Sequence, residues 1–321
     1  MNEKDYAPII IPTLNRYTHF KRCFESLERC TGANFTDIFI GLDYPPSEKY
    51  VEGWKEINDF LMKKEKENGF KNLIVKRREH NCGMVGPESN GALLYKDVSA
   101  VSDKYIYSED DNEYSPNFLE YMNLALDKYS NDSRVIKVSG YTSPVFSNIT
   151  NNNTFFGVDT PAYGLGGWVH KDKNIHILDY KEIDKELHSS LKKMWKLFWT
   201  YPALIYMAAH MIKNKEDYGD IRFTMNNLIC GTYTLEPAVS LARNWGADGS
   251  GLHSGTVKGL EKQAIQTALT FNVQDIPFEL PKFLKSRLFY LNMPKDKLKF
   301  CLYLIHKFIY SMHFFCFHKC K

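Results

Sequence analysis

Lys104-Tyr-Ile-Tyr-Ser-Glu-Asp-Asp111 is a short run of strand-prone residues that ends in three consecutive carboxylates. Its aromatic and β-branched residues predict a strand, and the acids predict that the strand stops at a sheet edge. One loop cannot bury three negative charges unless a cation shares them, which makes a hard divalent ion the expected counter-charge. Mn²⁺ or Mg²⁺ prefers oxygen ligands and commonly takes one or two carboxylates with phosphate oxygens completing the shell. Asp111 is the expected ligand. The ordinary alternative is a solvated acidic turn ahead of a helix begun by Ser115-Pro116.

Upstream, the pattern alternates. Ala7-Pro-Ile-Ile-Ile-Pro12 predicts a strand, and Phe20, Cys23, Phe24 and Leu27 recur at helical spacing within Thr18 to Cys30. Thr36-Asp-Ile-Phe-Ile-Gly-Leu-Asp43 predicts a second strand, followed by a charged helix from Glu48 to about Lys66 and a third strand over Asn72 to Arg77. A helix over roughly Glu88 to Ala100 then leads into the acidic strand. Strands alternating with helices imply an α/β fold, a mostly parallel central sheet flanked by helices. Ligands of such sheets bind beyond the carboxyl ends of the strands, where Asn15, Arg16, Asp43, Asn81 and Glu109 to Asp111 all fall.

Downstream the order loosens. Val135-Ile-Lys-Val-Ser-Gly140 predicts a strand, Asn148 to Asn153 a polar loop, and Gly164-Leu-Gly-Gly-Trp168 a flexible turn. Residues 185 to 235 read as largely helical, and Trp245-Gly-Ala-Asp-Gly-Ser-Gly-Leu-His253 as a glycine-rich loop.

The 321 residues, 44% hydrophobic and 25% charged, suit a globular chain and exclude disordered, collagenous and coiled-coil classes. The seven Cys form no CxxC pair, so neither a disulfide framework nor a structural zinc site is indicated. Met1 to Pro12 carries no long apolar stretch, and the expectation is a cytoplasmic protein. Residues 281–321 hold nine Lys and Arg against one acid, which leaves the rest of the chain net acidic and argues against nucleic acid as a partner.

Tyr107-Ser-Glu-Asp-Asp-Asn-Glu-Tyr-Ser-Pro-Asn-Phe-Leu-Glu-Tyr121 resembles the Glu-Asp-Asp, Pro-x-Phe-[FL]-x-Tyr signature of GT-A fold glycosyltransferases, bacterial family 2-like enzymes related to N-acetylglucosaminyltransferase I. Pro12-Thr-Leu-Asn-Arg16, the strand ending at Asp43, and Asp248-Gly-Ser-Gly-Leu-His253 fall in the order those enzymes show. The resemblance implies a GT-A (Rossmann-like) fold over residues 1–255 and an inverting, Mn²⁺- or Mg²⁺-dependent transfer from a nucleoside-diphosphate sugar, a UDP-sugar, to a saccharide acceptor. Pro12, Thr13, Asn15, Arg16, Asp43 and Asn81 would then line the donor, Arg16 meeting phosphate or base and Asp43 accepting from uracil or ribose. Glu109 and Asp110 would meet ribose or donor-sugar hydroxyls. Trp168 would stack on a sugar, and His253 would reach the diphosphate or metal. The general base is expected in Glu216-Asp217-Tyr-Gly-Asp220-Ile-Arg222, as Asp217 or Asp220, although the tryptophan common after that acid is replaced here by Tyr218-Gly219.

Residues 256–321 lie outside the resemblance and read as a helical, basic and aromatic appendage. Leu298 to Phe317 is long enough to span a bilayer but is punctuated by Lys299, His306, Lys307 and His313, which suits a peripheral position at the inner face of the cell membrane beside a lipid-linked acceptor. A helix packed on the body or on a second subunit is the alternative. Rival functions are a nucleotidyltransferase, disfavoured because Pro12 to Tyr17 holds no glycine for a phosphate loop, and a non-catalytic carbohydrate- or membrane-binding protein.

Overall fold

The computed structural model describes residues 6–143, 153–215, 218–250 and 263–279. The chain divides into two compact units, one of residues 1–155, 161–175 and 235–277 and the other of residues 156–160, 176–234 and 278–321.

The first unit opens with β1 (Ile9–Thr13), α1 (Tyr17–Glu28), β2 (Asp37–Leu42), α2 (Val51–Lys64), β3 (Asn72–Arg77), α3 (Asn90–Ser99) and β4 (Lys104–Tyr107). Every one of these elements answers to an apolar run or a helical spacing in the sequence. β5 (Asn112–Tyr114), α4 (Phe118–Lys128), β6 (Val135–Ser139), β7 (Thr154–Gly157), β8 (Leu165–Trp168) and α5 (Val169–Asn174) follow, and β9 (Tyr233–Pro237) and β10 (Ala242–Asn244) come after the second unit's helices. The main sheet has the order β3-β2-β1-β4-β8-β6-β9-β7. β1, β2, β3 and β4 pair in parallel, and β8 is antiparallel to both β4 and β6.

The chain therefore winds outward from β1 to β3 and returns to the opposite side of β1 as β4. That reversal makes the gap between the carboxyl ends of β1 and β4 a topological switch point, the crevice where α/β sheets receive ligands. Pro12 fits this opening. Ile10 and Pro8 accept from β4 backbone N–H groups, so by alternation Pro12 faces the β4 side just where the ladder ends and its missing N–H costs nothing.

Helices cover both faces. Ile10 and Phe39 pack with Leu94 and Val98 of α3, while Ile9, Ile11, Ile38 and Ile40 on the opposite pleat are also fully buried. Phe20, Phe24, Phe60 and Phe70 stack edge to face and join α1 to α2. Of Gly164 to Trp168, expected as a flexible turn, Gly164 is a bend at φ 75° and Leu165–Trp168 are instead the strand β8. Its glycines answer to packing: a Cβ at Gly166 would lie 2.6 Å from Cε of Met122, and one at Gly167 2.6 Å from the Tyr105 hydroxyl.

The expected helical appendage is irregular over 263–279, a strap held by side chains. Asn117 donates to Gln266 and to the Thr270 carbonyl, Lys128 to the Val273 carbonyl, and the Phe271 N–H to Glu120. Backbone groups of Thr270, Phe271 and Val273 thus find their partners in side chains of α4 and Asn117 rather than in a helix of their own. The division expected at 255 and the basic tail lie outside the described residues. Among the described residues no helix is long and apolar enough to cross a membrane.

The second unit is built on α6 (Tyr180–Ser189), α7 (Leu191–Thr200), α8 (Pro202–Asn214) and α9 (Gly219–Cys230), matching the helical reading of residues 185 to 235. Asp179 and Glu182 form a capping box at the start of α6, and Gly231 ends α9 at φ 75°. Ile183, Leu187, Leu204, Ala208, Met211, Ile221 and Met225 make its core.

Candidate active site

β1 and β4 deliver two loops to the switch point, and their side chains close on one another. Thr13 at the end of β1 donates its hydroxyl to Oδ2 of Asp110 at 2.9 Å. Arg16, three residues on, forms an ion pair through Nη2 with Oδ1 of Asp110 and with Oδ2 of Asp111, the latter at 2.8 Å. Asn244 donates to Oδ1 of Asp111 at 2.8 Å. Each oxygen of the two carboxylates thus has a partner, although both residues are only 6% exposed. Burial pushes the Asp110 carboxyl above its usual range against the opposing pull of Arg16, and the neighbouring charge of Asp111 adds to the rise.

The counter-charge expected for the acidic loop is therefore supplied in this structure by the chain's own guanidinium. Two buried carboxylates against one guanidinium still leave a net negative charge.

Asp111 is placed by a two-stranded ribbon that no sequence pattern announced, β5 paired antiparallel with β10. The Trp245 N–H donates to the Asp111 carbonyl at 2.9 Å, and the Gly246 N–H donates to Oδ1 of Asn244. The indole N–H of Trp245 donates to Glu113, and the Arg22 guanidinium lies 4.1 Å from its ring centroid. Asp248 pairs with His19 of α1 at 3.0 Å, and hydrogen bonds from Ser250 hold its carboxyl at about 2. Asn244, Trp245 and Gly246 are the site residues that sequence reasoning missed. The one available signal was the glycine-rich loop itself, which opens with Trp245-Gly246 directly after Asn244.

Asp43 forms a second corner at the end of β2. Its oxygens accept from the backbone N–H groups of Tyr44, Cys82 and Gly83 and from Nδ2 of Asn81, all between 2.8 and 3.2 Å. Asp43 was expected to accept from a nucleotide, but these four donors fill its acceptor sites and make it the anchor of the loop 81–83. Asn81 is drawn into the same anchor and donates to the Tyr44 carbonyl as well. Nearby, Arg78 donates through Nε to Asn90, which in turn donates to the Gly41 carbonyl. Nη2 of Arg78 is buried and has no partner among the described residues, which leaves a cationic N–H group unsatisfied at the carboxyl edge of β3.

Asn15 and Glu109 directly precede Arg16 and Asp110 in their loops. The backbone of Asn15 is seated against α2, where a Cβ at Gly53 would lie 2.0 Å from its carbonyl oxygen. Glu109 is half-buried, and its carbonyl accepts from Ser108 at 2.8 Å. Trp168 is fully buried, its indole N–H donating to the Leu126 carbonyl and the Lys171 ammonium lying 3.6 Å from its ring centroid. No ring face remains for a sugar, so Trp168 is a core residue. Asp217 and His253 lie outside the described residues.

In the second unit, Asp220 is exposed in the first turn of α9, where it accepts from the Ile221 N–H. Its charge also reaches Asp159. Burial and then Asp220 push the Asp159 carboxyl up to about 6, against a hydrogen bond from Tyr201. The loop carrying Asp159 is fixed by Asn227, which donates to the Val158 carbonyl, and by the contact of the Thr160 and Thr234 hydroxyls.

The acid pair is chemically suited to a hard divalent ion, since it offers buried carboxylate oxygens with uncompensated negative charge. Among the described residues no group of three or more His, Cys, Asp and Glu gathers.

No family model matches the chain, and no curated protein matches it. Solved structures similar to it include S. aureus TarS 1–349, at 14% identity and TM-score 0.38 over 54% of this chain and 50% of that one. The mannosyltransferase PcManGT from Pyrobaculum calidifontis, in complex with GDP-Man and Mn²⁺, is similar at 10% identity and TM-score 0.33 over 54% and 47%. The glycosyltransferase GlyE of Streptococcus pneumoniae TIGR4 is similar at 14% identity and TM-score 0.34 over 72% and 45%. The chain spans about half the length of each of these structures.

Proposed function

We propose that the chain is an inverting GT-A glycosyltransferase, moving a sugar from a UDP-sugar to a saccharide acceptor in bacterial surface polysaccharide biosynthesis, with Mn²⁺ or Mg²⁺ as cofactor. One observation carries this reading: two buried carboxylates and an arginine converge at the β1/β4 switch point, where a nucleotide would lie across the strand ends.

In this reading Asp111 holds the ion, and Asn244 orients its carboxylate. When bound, the ion neutralises charge growing on the leaving diphosphate, stabilisation that rises in the transition state. Arg78, at the carboxyl edge of β3, would offer its unpartnered N–H to the nucleotide. Asp43 anchors the backbone of Cys82 and Gly83 at the carboxyl end of β2. Asp217 or Asp220 takes the proton of the acceptor hydroxyl. The basic aromatic tail would hold the enzyme at the inner membrane face beside a lipid-linked acceptor.

The test is release of nucleoside diphosphate from a panel of UDP- and GDP-sugars, with and without Mn²⁺, by the wild type and Asp111→Asn. Mn²⁺-dependent release that falls a hundredfold or more in D111N is expected, given the several kcal/mol that removal of such an electrostatic contact costs. Absence of release from every donor, or release indifferent to D111N, overturns the reading.

A further inference from the structure

We infer that Arg16 is an internal cation that closes the acid pair until a nucleoside diphosphate draws it away, so that divalent metal and nucleotide load together rather than in turn. The inference rests on the proposed metal at Asp111 and goes beyond it by assigning the residue that controls access.

The geometry leaves little room for both cations. Arg16 already occupies Oδ2 of Asp111 at 2.8 Å and bonds Asp110 with the same Nη2, while Asn244 occupies Oδ1. A divalent ion binds a carboxylate oxygen at about 2.1 Å, which would set it against the guanidinium in a site only 6% exposed, where like charges repel strongly. One of the two must leave.

Arg16 is the group able to move. It stands at the N-cap of α1, where its side chain makes no capping hydrogen bond, and that side chain keeps 21% of its surface exposed. Asp110 and Asp111, by contrast, are pinned from their other sides by Thr13, Asn244 and the Trp245 N–H. A guanidinium leaving a carboxylate pair needs another anion of matching geometry, and a diphosphate offers pairs of oxygens that accept from its planar fork in bidentate fashion. Metal alone would have to expel Arg16 into solvent. Metal with nucleotide gives it a partner.

Mn²⁺ binding, followed by water-proton relaxation and by the rise in melting temperature, tests this on the wild type, Arg16→Gln, Arg16→Lys and Asp111→Asn, without nucleotide and with UDP or GDP. Without nucleotide, R16Q is expected to bind Mn²⁺ at least tenfold more tightly than the wild type, and R16K, which keeps a cation, to bind like the wild type. UDP or GDP should tighten Mn²⁺ binding far more in the wild type than in R16Q. Should removal of Arg16 unbalance the fold, R16K and the wild type still report the nucleotide coupling. If R16Q binds Mn²⁺ no better than the wild type while D111N abolishes binding, the gating role is lost and the metal reading survives. If no form binds Mn²⁺ with or without nucleotide, the metal reading fails and takes this inference with it.

Discussion

Gly246 lies against Asp111 so closely that a Cβ on the glycine would fall 2.1 Å from Oδ2 of the acid. The glycine therefore makes room for the carboxylate at its working position, and Gly246→Ala must displace either the ribbon or the acid. Because both residues are buried, that strain should cost about 1–3 kcal/mol, read as a lower urea midpoint. Mn²⁺-dependent nucleotide release should fall tenfold or more beyond what the lost stability explains. Full activity in G246A would show that Asp111 does not act from this position.

Asp43 serves four donors, and a carboxylamide cannot. Asp43→Asn replaces one acceptor oxygen with an NH₂ group that confronts backbone N–H groups of Tyr44 and Cys82 or Gly83. Each buried donor left unmet costs about 1–3 kcal/mol, so D43N should be strongly destabilised in urea and lose nucleotide affinity only as its loop 81–83 loosens. If D43N kept wild-type stability while losing UDP binding by calorimetry, Asp43 would be a nucleotide contact, as the sequence reading has it.

The local half of this architecture was legible in the sequence. The strands through β4 and their helices declare themselves in runs such as Ile9-Ile-Ile and in the spacing of Phe20, Phe24 and Leu27, because burial of one face imposes a period on neighbouring residues. The acids after β4 were readable for the same reason. What brings Arg16 to Asp110 and Asn244 to Asp111 was not, since these pairs lie 94 and 133 residues apart and depend on sheet order and on the β5–β10 pairing. Composition misled at Gly164 to Trp168. Glycines beside an indole fit a sugar-lined turn and a tightly packed strand equally well, and only the neighbours Met122 and Tyr105 decide.

That distinction is testable at Trp168. Trp168→Phe removes the hydrogen bond to the Leu126 carbonyl and leaves part of the indole's space empty. A loss of about 1–3 kcal/mol is expected in urea denaturation. KM for the donor sugar nucleotide should stay within about twofold of wild type below the melting range, a shift of less than about 0.5 kcal/mol. A rise of tenfold or more in that KM with little loss of stability would return Trp168 to the site.

Asp159 gives the second unit a dependence on pH whose sign can be worked out. Burial and the charge of Asp220 raise its carboxyl to about 6 in the folded chain, whereas an unfolded chain leaves it near about 3.9. Between those values the folded state holds a proton that the unfolded state has released. The stabilisation linked to this proton is full below about pH 4 and is lost as pH rises through about 6. Asp159→Asn, which keeps the shape and cannot ionise, should remove that part of the slope, so that the melting temperature of D159N relative to wild type rises from pH 4.5 to pH 7. Asp220→Asn should move the transition to lower pH, because the repelling charge is gone. Wild type and D159N running parallel across the whole range would mean that Asp159 titrates as an ordinary exposed acid, and that Asp220 does not act on it.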